Sequence, residues 1–209
     1  MPSSTPAVEF SNVSFVLQNG RPILQGLTLD VQRGEILILL GRSGSGKTTA
    51  LKLINRLLEL STGELQVEGC PTKDWNPIEL RRHIGYAIQD VGLFPHYTVA
   101  RNIALVPSIQ NWPKKKTEDR VEQLLRLVGL NAEIALRYPH QLSGGQRQRV
   151  GVARALAADP PILVMDEPFG ALDPLTRADL QREFLSLQQQ LRKTVLFVTH
   201  GRHRRLPPE

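Results

Sequence analysis

The chain is poor in the residues that mark several common protein classes. It has one cysteine among 209 residues, Cys70, so no internal disulfide can form and a disulfide-stapled fold is excluded. No general base lies near Cys70 in sequence, and its thiol reads as inert. Long apolar runs are also missing: the longest, Ile36 to Leu40, falls far short of the roughly 20 residues that cross a bilayer. The opening segment MPSSTPAVEF lacks a charged and apolar leader, so the expectation is a cytosolic chain without a membrane span. Aromatics make up only 5% of the chain, and none are interleaved with a basic run as in nucleic-acid platforms. The net charge of +6 is scattered apart from Lys114 to Lys116 and the terminal GRHRRLPPE, which reads as solvated surface, and no nucleic-acid partner is expected. What the chain does have is 41% apolar residues, enough for one well-filled globular core and too many for disorder.

There is no internal repeat and no low-complexity block. Val8 to Val16 and Leu27 to Val31 read as strands, set off by turn signals at Asn19-Gly20 and Arg33-Gly34. Glu35 to Leu40 reads as a buried strand running through a Gly/Ser loop into a helix from about Thr48, with Leu51, Ile54, Leu57 and Leu58 at helical spacing. A helix over Lys114 to Leu130 puts Val121, Leu124, Leu125 and Val128 on one face, with Gly129 at its end. Another follows Leu142-Ser143. The continuous apolar run Ile162 to Met165 predicts a strand buried on both faces, as in a parallel sheet. Leu180, Phe184, Leu187 and Leu191 predict a helix, and Thr194 to Thr199 a further strand. This alternation predicts an α/β fold with a parallel-sheet core, a β-rich N-terminal portion and a mostly helical insertion near residues 90–157.

Gly41-Arg42-Ser43-Gly44-Ser45-Gly46-Lys47-Thr48 fits the phosphate-loop pattern G-x-x-x-x-G-K-[ST] in full, between a predicted strand and a predicted helix. Gly44 and Gly46 allow backbone conformations that turn successive N–H groups inward, and the helix N-terminus completes the anion nest. Lys47 is placed to neutralise the β- and γ-phosphates, and the Thr48 hydroxyl is a hard oxygen ligand suited to Mg²⁺. At the end of the apolar run stand Asp166 and Glu167. Side chains alternate along a strand, so Asp166 can face the Mg²⁺ shell while Glu167 reaches the attacking water as base or orienter. The fold class is therefore that of a P-loop NTPase.

Other residues carry a family resemblance. Leu142-Ser143-Gly144-Gly145-Gln146 resembles the signature motif of ATP-binding cassette (ABC) ATPases, and it lies between the phosphate loop and Asp166 in the family's order. Gln89, after Ile84-Gly85-Tyr86-Ala87-Ile88, resembles the Q-loop glutamine, Ala171-Leu172-Asp173 the D-loop, and His200 the switch histidine. The resemblance covers about residues 8 to 200. It implies ATP and Mg²⁺ as cofactors. Nucleotide contacts fall on Gly41, Arg42, Ser43, Gly44, Ser45, Gly46, Lys47, Thr48 and Thr49, and on Ser143, Gly144, Gly145, Gln146 and Asp173. Metal contacts fall on Thr48, Gln89 and Asp166, and catalytic roles on Glu167, His200 and Gln89. It also implies a homodimer in which each signature motif caps the nucleotide of the facing subunit. The expected domains are an ABC ATP-binding domain over 1–200 and an atypical basic, proline-containing tail over 201–209.

Closer still, Ile84 to Gln89, Gly92-Leu93-Phe94-Pro95-His96, Asn102 to Pro107, Tyr138-Pro139-His140 and Val150 to Pro168 resemble the ATPases of importers for glycine betaine, choline and related quaternary amines. The resemblance implies membrane permease subunits as partners, an extracytoplasmic solute-binding protein indirectly, and a peripheral place on the inner face of the cell membrane. Phe94 and His96 read either as contacts to a permease or as packing under a loop. Leu17 stands where the family usually has an adenine-stacking aromatic; Phe15, on the same strand face, reads either as a substitute or as core. The family-like residues end at Val198-Thr199-His200, and the expectation is a truncated or frameshifted cassette with exposed apolar surface. Two further readings stand beside the transport ATPase: a nucleotide-binding module without turnover, and a soluble cassette ATPase acting on nucleic acid or ribosomes.

Overall fold

The structure, a computed structural model, describes residues 5–89, 91–168, 170 and 193–200, with His200 described through its backbone. Strands β1 (Val8–Val16) and β2 (Pro22–Val31) form an antiparallel hairpin, and β4 (Thr62–Val67) and β5 (Cys70–Pro71) extend it in the order β2-β1-β4-β5. A second sheet runs β3-β8-β7-β6, with β3 at Ile36–Gly41, β6 at Ile84–Ala87, β7 at Ile162–Asp166 and β8 at Thr194–His200. Every pairing in it is parallel.

The parallel sheet is covered on both faces, which is why its strands are apolar throughout rather than alternating. Ile162 and Val164 of β7, with Leu196 and Val198 of β8, join the core built by β1 and by helix α1 (Lys47–Ile54). The intervening Leu163, Met165, Val195 and Phe197 point the other way. They pack against the helices α3 (Val99–Ile103), α5 (Lys114–Leu127) and α6 (Gly144–Leu156). Short α4 (Leu105–Ile109) follows α3 directly, and α2 (Pro77–His83) lies ahead of β6. Asn102 of α3, fully buried, anchors the loop before it. It accepts from the Phe94 N–H at 2.8 Å and donates to the carbonyls of Phe94, Tyr97 and Thr98 at 3.0–3.1 Å.

Two boundaries differ from the sequence expectation. Helix α1 stops at Ile54, so Leu57 and Leu58 lie beyond it, and Arg56 takes a left-handed backbone at φ 48. The cause is tertiary: Arg81 of α2 donates to the carbonyls of Asn55 at 3.2 Å and Arg56 at 2.7 Å, so a cation and two hydrogen bonds close the helix end. Strand β2 starts at Pro22 rather than Leu27, because it pairs with β1 along most of that strand, Val16 opposite Pro22. The helix expected around Leu180 to Leu191, the D-loop and the tail 201–209 lie outside the described residues.

At Gly85 of β6 the sheet and helix α6 come close together. A Cβ there would strike the Ala155 carbonyl of α6 and come within 2.7 Å of Leu163 Cδ2 and 2.8 Å of Pro160 Cγ. Gly85→Val should therefore cost about 3 kcal/mol of unfolding free energy, read as a shift of the urea midpoint.

His83 supplies a pH-dependent term. Its ring lies 5.5 Å from Trp75, its Nε2 is buried without a hydrogen-bond partner among the described residues, and burial, with Arg33 adding to it, lowers its pKa from the ordinary 6.5. The folded state keeps the neutral form to lower pH than the unfolded chain, so this contribution is complete above 6.5 and is lost as pH falls below it. Between about pH 7.5 and 5 the unfolding free energy of the wild type should fall more steeply than that of His83→Leu. Parallel slopes would refute the assignment.

Candidate active site

The loop between β3 and α1 is shaped by Gly44 at φ 81 and Gly46 at φ 86, both in the left-handed region that side chains disfavour. Gly46 is also the N-cap of α1, and no side chain caps that end, which leaves the first-turn N–H groups available to an anion. A Cβ at Gly46 would come within 2.6 Å of Leu24 Cδ2 and 2.9 Å of the Ile23 carbonyl, so β2 presses directly on the loop. Lys47 lies across the loop, its Nζ donating to the carbonyls of Gly41 and Arg42 at 2.8 Å each and to Ser45 Oγ at 3.3 Å.

Asp166 ends β7 at 3% exposure and accepts a hydrogen bond from Thr48 Oγ1 at 3.1 Å. Burial, together with the Asp166 charge, pushes the Tyr86 hydroxyl of β6 up to about 12. Glu167 leaves the strand in a left-handed conformation, φ 48, while its N–H still donates to the Val198 carbonyl at 3.0 Å. The turn brings it onto the wall of a cleft of about 300 Å³ lined also by Ile23, Ser43, Gly44, Gly46, Lys47, Thr48, Thr49 and Gln89. The parallel register sets the His200 backbone opposite Gly41.

The fold thus gathers one part of the expected set and not another. Ser143, Gly144, Gly145 and Gln146 do not line this cleft. They form the N-terminus of α6, where Ser143 Oγ accepts from the Gln146 N–H at 3.2 Å and Gln146 Oε1 accepts from the Ser143 N–H at 3.0 Å. This capping box occupies the Gln146 side chain and leaves the exposed Ser143 and the half-buried Gly144 and Gly145 at the start of the helix. Asp173 lies outside the described residues. Of the two readings of Phe15 the structure selects core: it is 9% exposed and packs with Phe10 and Val13, whereas Leu17 is 39% exposed in the β1–β2 turn. Ile23, the apolar side chain in the cleft, and Tyr86 beside Asp166 were not expected from the sequence. The apolar pair Ile23-Leu24 was the only local signal, and it reads equally as ordinary strand.

A phosphate loop joining a parallel strand to a helix, with a neighbouring strand delivering a carboxylate to the loop's threonine, defines a P-loop nucleotide-binding protein. The chain belongs to the ABC transporter family, whose sequence profile matches residues 24–170. It is 51% identical over 193 residues to the glycine betaine/carnitine/choline transport ATP-binding protein OpuCA of Bacillus subtilis, covering 92% of this chain and 51% of that one. It is 52% identical over 193 residues to the glycine betaine uptake system ATP-binding protein YehX of Escherichia coli, covering 92% and 62%. The chain therefore spans about half the length of the curated relatives it matches. In structure it resembles the dimeric, post-hydrolysis ATP-binding cassette MJ0796 bound to ADP and Pi, with a TM-score of 0.85, 34% identity, and coverage of 93% of this chain and 88% of that one. No helix among the described residues is long and apolar enough to cross a membrane.

Lys47→Ala should weaken nucleotide binding by about tenfold to a hundredfold, the value of one charge-assisted contact to phosphate. Titration with a fluorescent ATP analogue measures it, and equal affinities would remove Lys47 from the site.

Proposed function

We propose that this chain is the ATP-hydrolysing subunit of an importer for glycine betaine or a related quaternary amine, acting as a pair of cassettes on the inner face of the membrane. The observation that carries the ATPase part is the hydrogen bond from Thr48, which lines the cleft, to Asp166, with Glu167 on the cleft wall. The import part is supported by the names of the relatives, and permease subunits and a solute-binding protein are the partners that follow from it.

The loop N–H groups, the α1 N-terminus and Lys47 hold the triphosphate. Thr48 and Asp166 offer a hydroxyl and a carboxylate, and no group of three His, Cys, Asp or Glu gathers elsewhere among the described residues. That sparse oxygen set fits Mg²⁺, which takes few protein ligands and completes its shell with phosphates and water. Thr48, Asp166 and Gln89 would hold the ion, which neutralises charge developing on the phosphate oxygens. Glu167 orients the attacking water and accepts its proton. Ser143 and the Gly144 and Gly145 N–H groups, which do not line their own cleft, cap the phosphates of the second cassette. His200, whose backbone pairs with Gly41, takes the catalytic role at the γ-phosphate, and Asp173 that of a nucleotide contact.

Glu167→Gln should retain nucleotide affinity but lower turnover by about 10² or more, the usual value of a general base, and ATP should then trap a stable dimer on gel filtration. Wild-type turnover in a variant that stays monomeric with ATP would place the base elsewhere. Complementation of an importer lacking its own cassette, scored as growth on glycine betaine at high osmolarity, tests the import assignment.

A further inference from the structure

The chain beyond Gln89 is held to α6 through Arg154. Arg154 donates Nη1 to the Gly92 carbonyl at 2.8 Å and Nη2 to the Val91 carbonyl in a short hydrogen bond. Gly151, one turn earlier on the same face of α6, leaves the room this requires. A Cβ at that position would lie 2.5 Å from Val91 Cγ1.

A planar guanidinium bridging two successive carbonyls fixes orientation as well as distance, which a lysine ammonium does not. Burial lowers the pKa of Arg154, so the group sits in surroundings where unmaking its hydrogen bonds is costly. The same helix begins at Ser143, eleven positions earlier, roughly 16 Å away at about 1.5 Å per residue. Gln89 lines the nucleotide cleft, and the signature surface is the helix's far end.

We propose that Arg154, with Gly151, is a positioning residue that locks Val91–Gly92 to α6, so that Gln89 in one cleft and the Ser143–Gly145 surface offered to the facing cassette are set by one rigid element. The inference rests on the two-cassette reading above. A displacement of Gln89 toward the γ-phosphate passes through the clamped carbonyls into α6 and reaches the N-terminus of that helix. Arg154 touches neither nucleotide nor water; its effect is on how well the signature surface is aligned when ATP binds.

The test uses the full chain as wild type, Arg154→Lys, Arg154→Met, Gly151→Ala and the double variant Gly151→Ala with Val91→Ala. Affinity for a fluorescent ATP analogue is measured at high dilution, kcat and KM at concentrations that favour the pair, and thermal melting throughout. Arg154→Met should keep affinity at dilution within about twofold while kcat falls by about tenfold or more, as expected for misplacement of a remote support. Arg154→Lys should not recover it. Gly151→Ala should reproduce the loss without touching Arg154, and removing the two methyl groups of Val91 should restore kcat by about fivefold. Wild-type kcat in both Arg154→Met and Gly151→Ala overturns the clamp and leaves the two-cassette reading intact. A loss in Gly151→Ala that Val91→Ala does not relieve also overturns it, and this pair decides the matter if Arg154→Met fails to fold. Wild-type turnover that is absent, or independent of protein concentration per cassette, overturns the two-cassette reading itself.

Discussion

Strands β3, β8 and β7 run in one direction with Gly41 opposite His200 and Asp166 opposite Val198, and the chemistry of the cleft is downstream of that register. Asp166 has the same parity along β7 as Ile162 and Val164, which belong to the core on the α1 side. Its carboxylate therefore emerges on the face where α1 presents Thr48. A slip of one residue would exchange the two faces, setting Met165 against Thr48 and pressing a carboxylate into the helical core. Such a slip would also turn Leu163 and Val195 toward the wrong layer. The packing that stabilises the sheet and the alignment that makes the site are thus one constraint.

The electrostatics of the cleft follow from where its charges are allowed to stand. Lys47 bonds the loop carbonyls of Gly41 and Arg42, and the buried Asp166 carboxylate accepts from the Thr48 hydroxyl. Burial, with the Asp166 carboxylate on the adjacent strand adding to it, raises the pKa of Tyr86. The cleft thus offers the Lys47 ammonium to phosphate and, through Thr48, the neighbouring Asp166 carboxylate to a divalent cation, the polarity a metal–nucleotide complex needs.

What could be read from the sequence was what is local. The phosphate loop is contiguous, so its residues and its place between strand and helix were legible together. The run Ile162 to Met165 announced a doubly buried strand, and with it the edge position of Asp166 and Glu167. The start of a helix at Ser143 belongs to the same class, and the bond back from Gln146 is what the structure adds. The end of α1 was not legible, because Leu57 and Leu58 keep the helical spacing and the residue that stops the helix is Arg81, far along the chain. The contact of Ile23 and Leu24 with Gly46 is equally remote, as is the use of Asn102 to staple the loop at Phe94. These are tertiary contacts between segments whose individual patterns are unremarkable, and periodicity carries no information about them.

Glu167 occupies a backbone conformation that a side chain disfavours by about 1 kcal/mol or more, and it does so at the end of a fully buried strand. Glycine or asparagine would relieve the turn at once. The fold thus accepts at this position a backbone cost that glycine would not carry. In a collection of variants sorted only for resistance to heat, the backbone freedom of glycine would count in its favour at this position. In one sorted for turnover the glutamate would persist, so the difference between the two sortings isolates what the carboxylate is for.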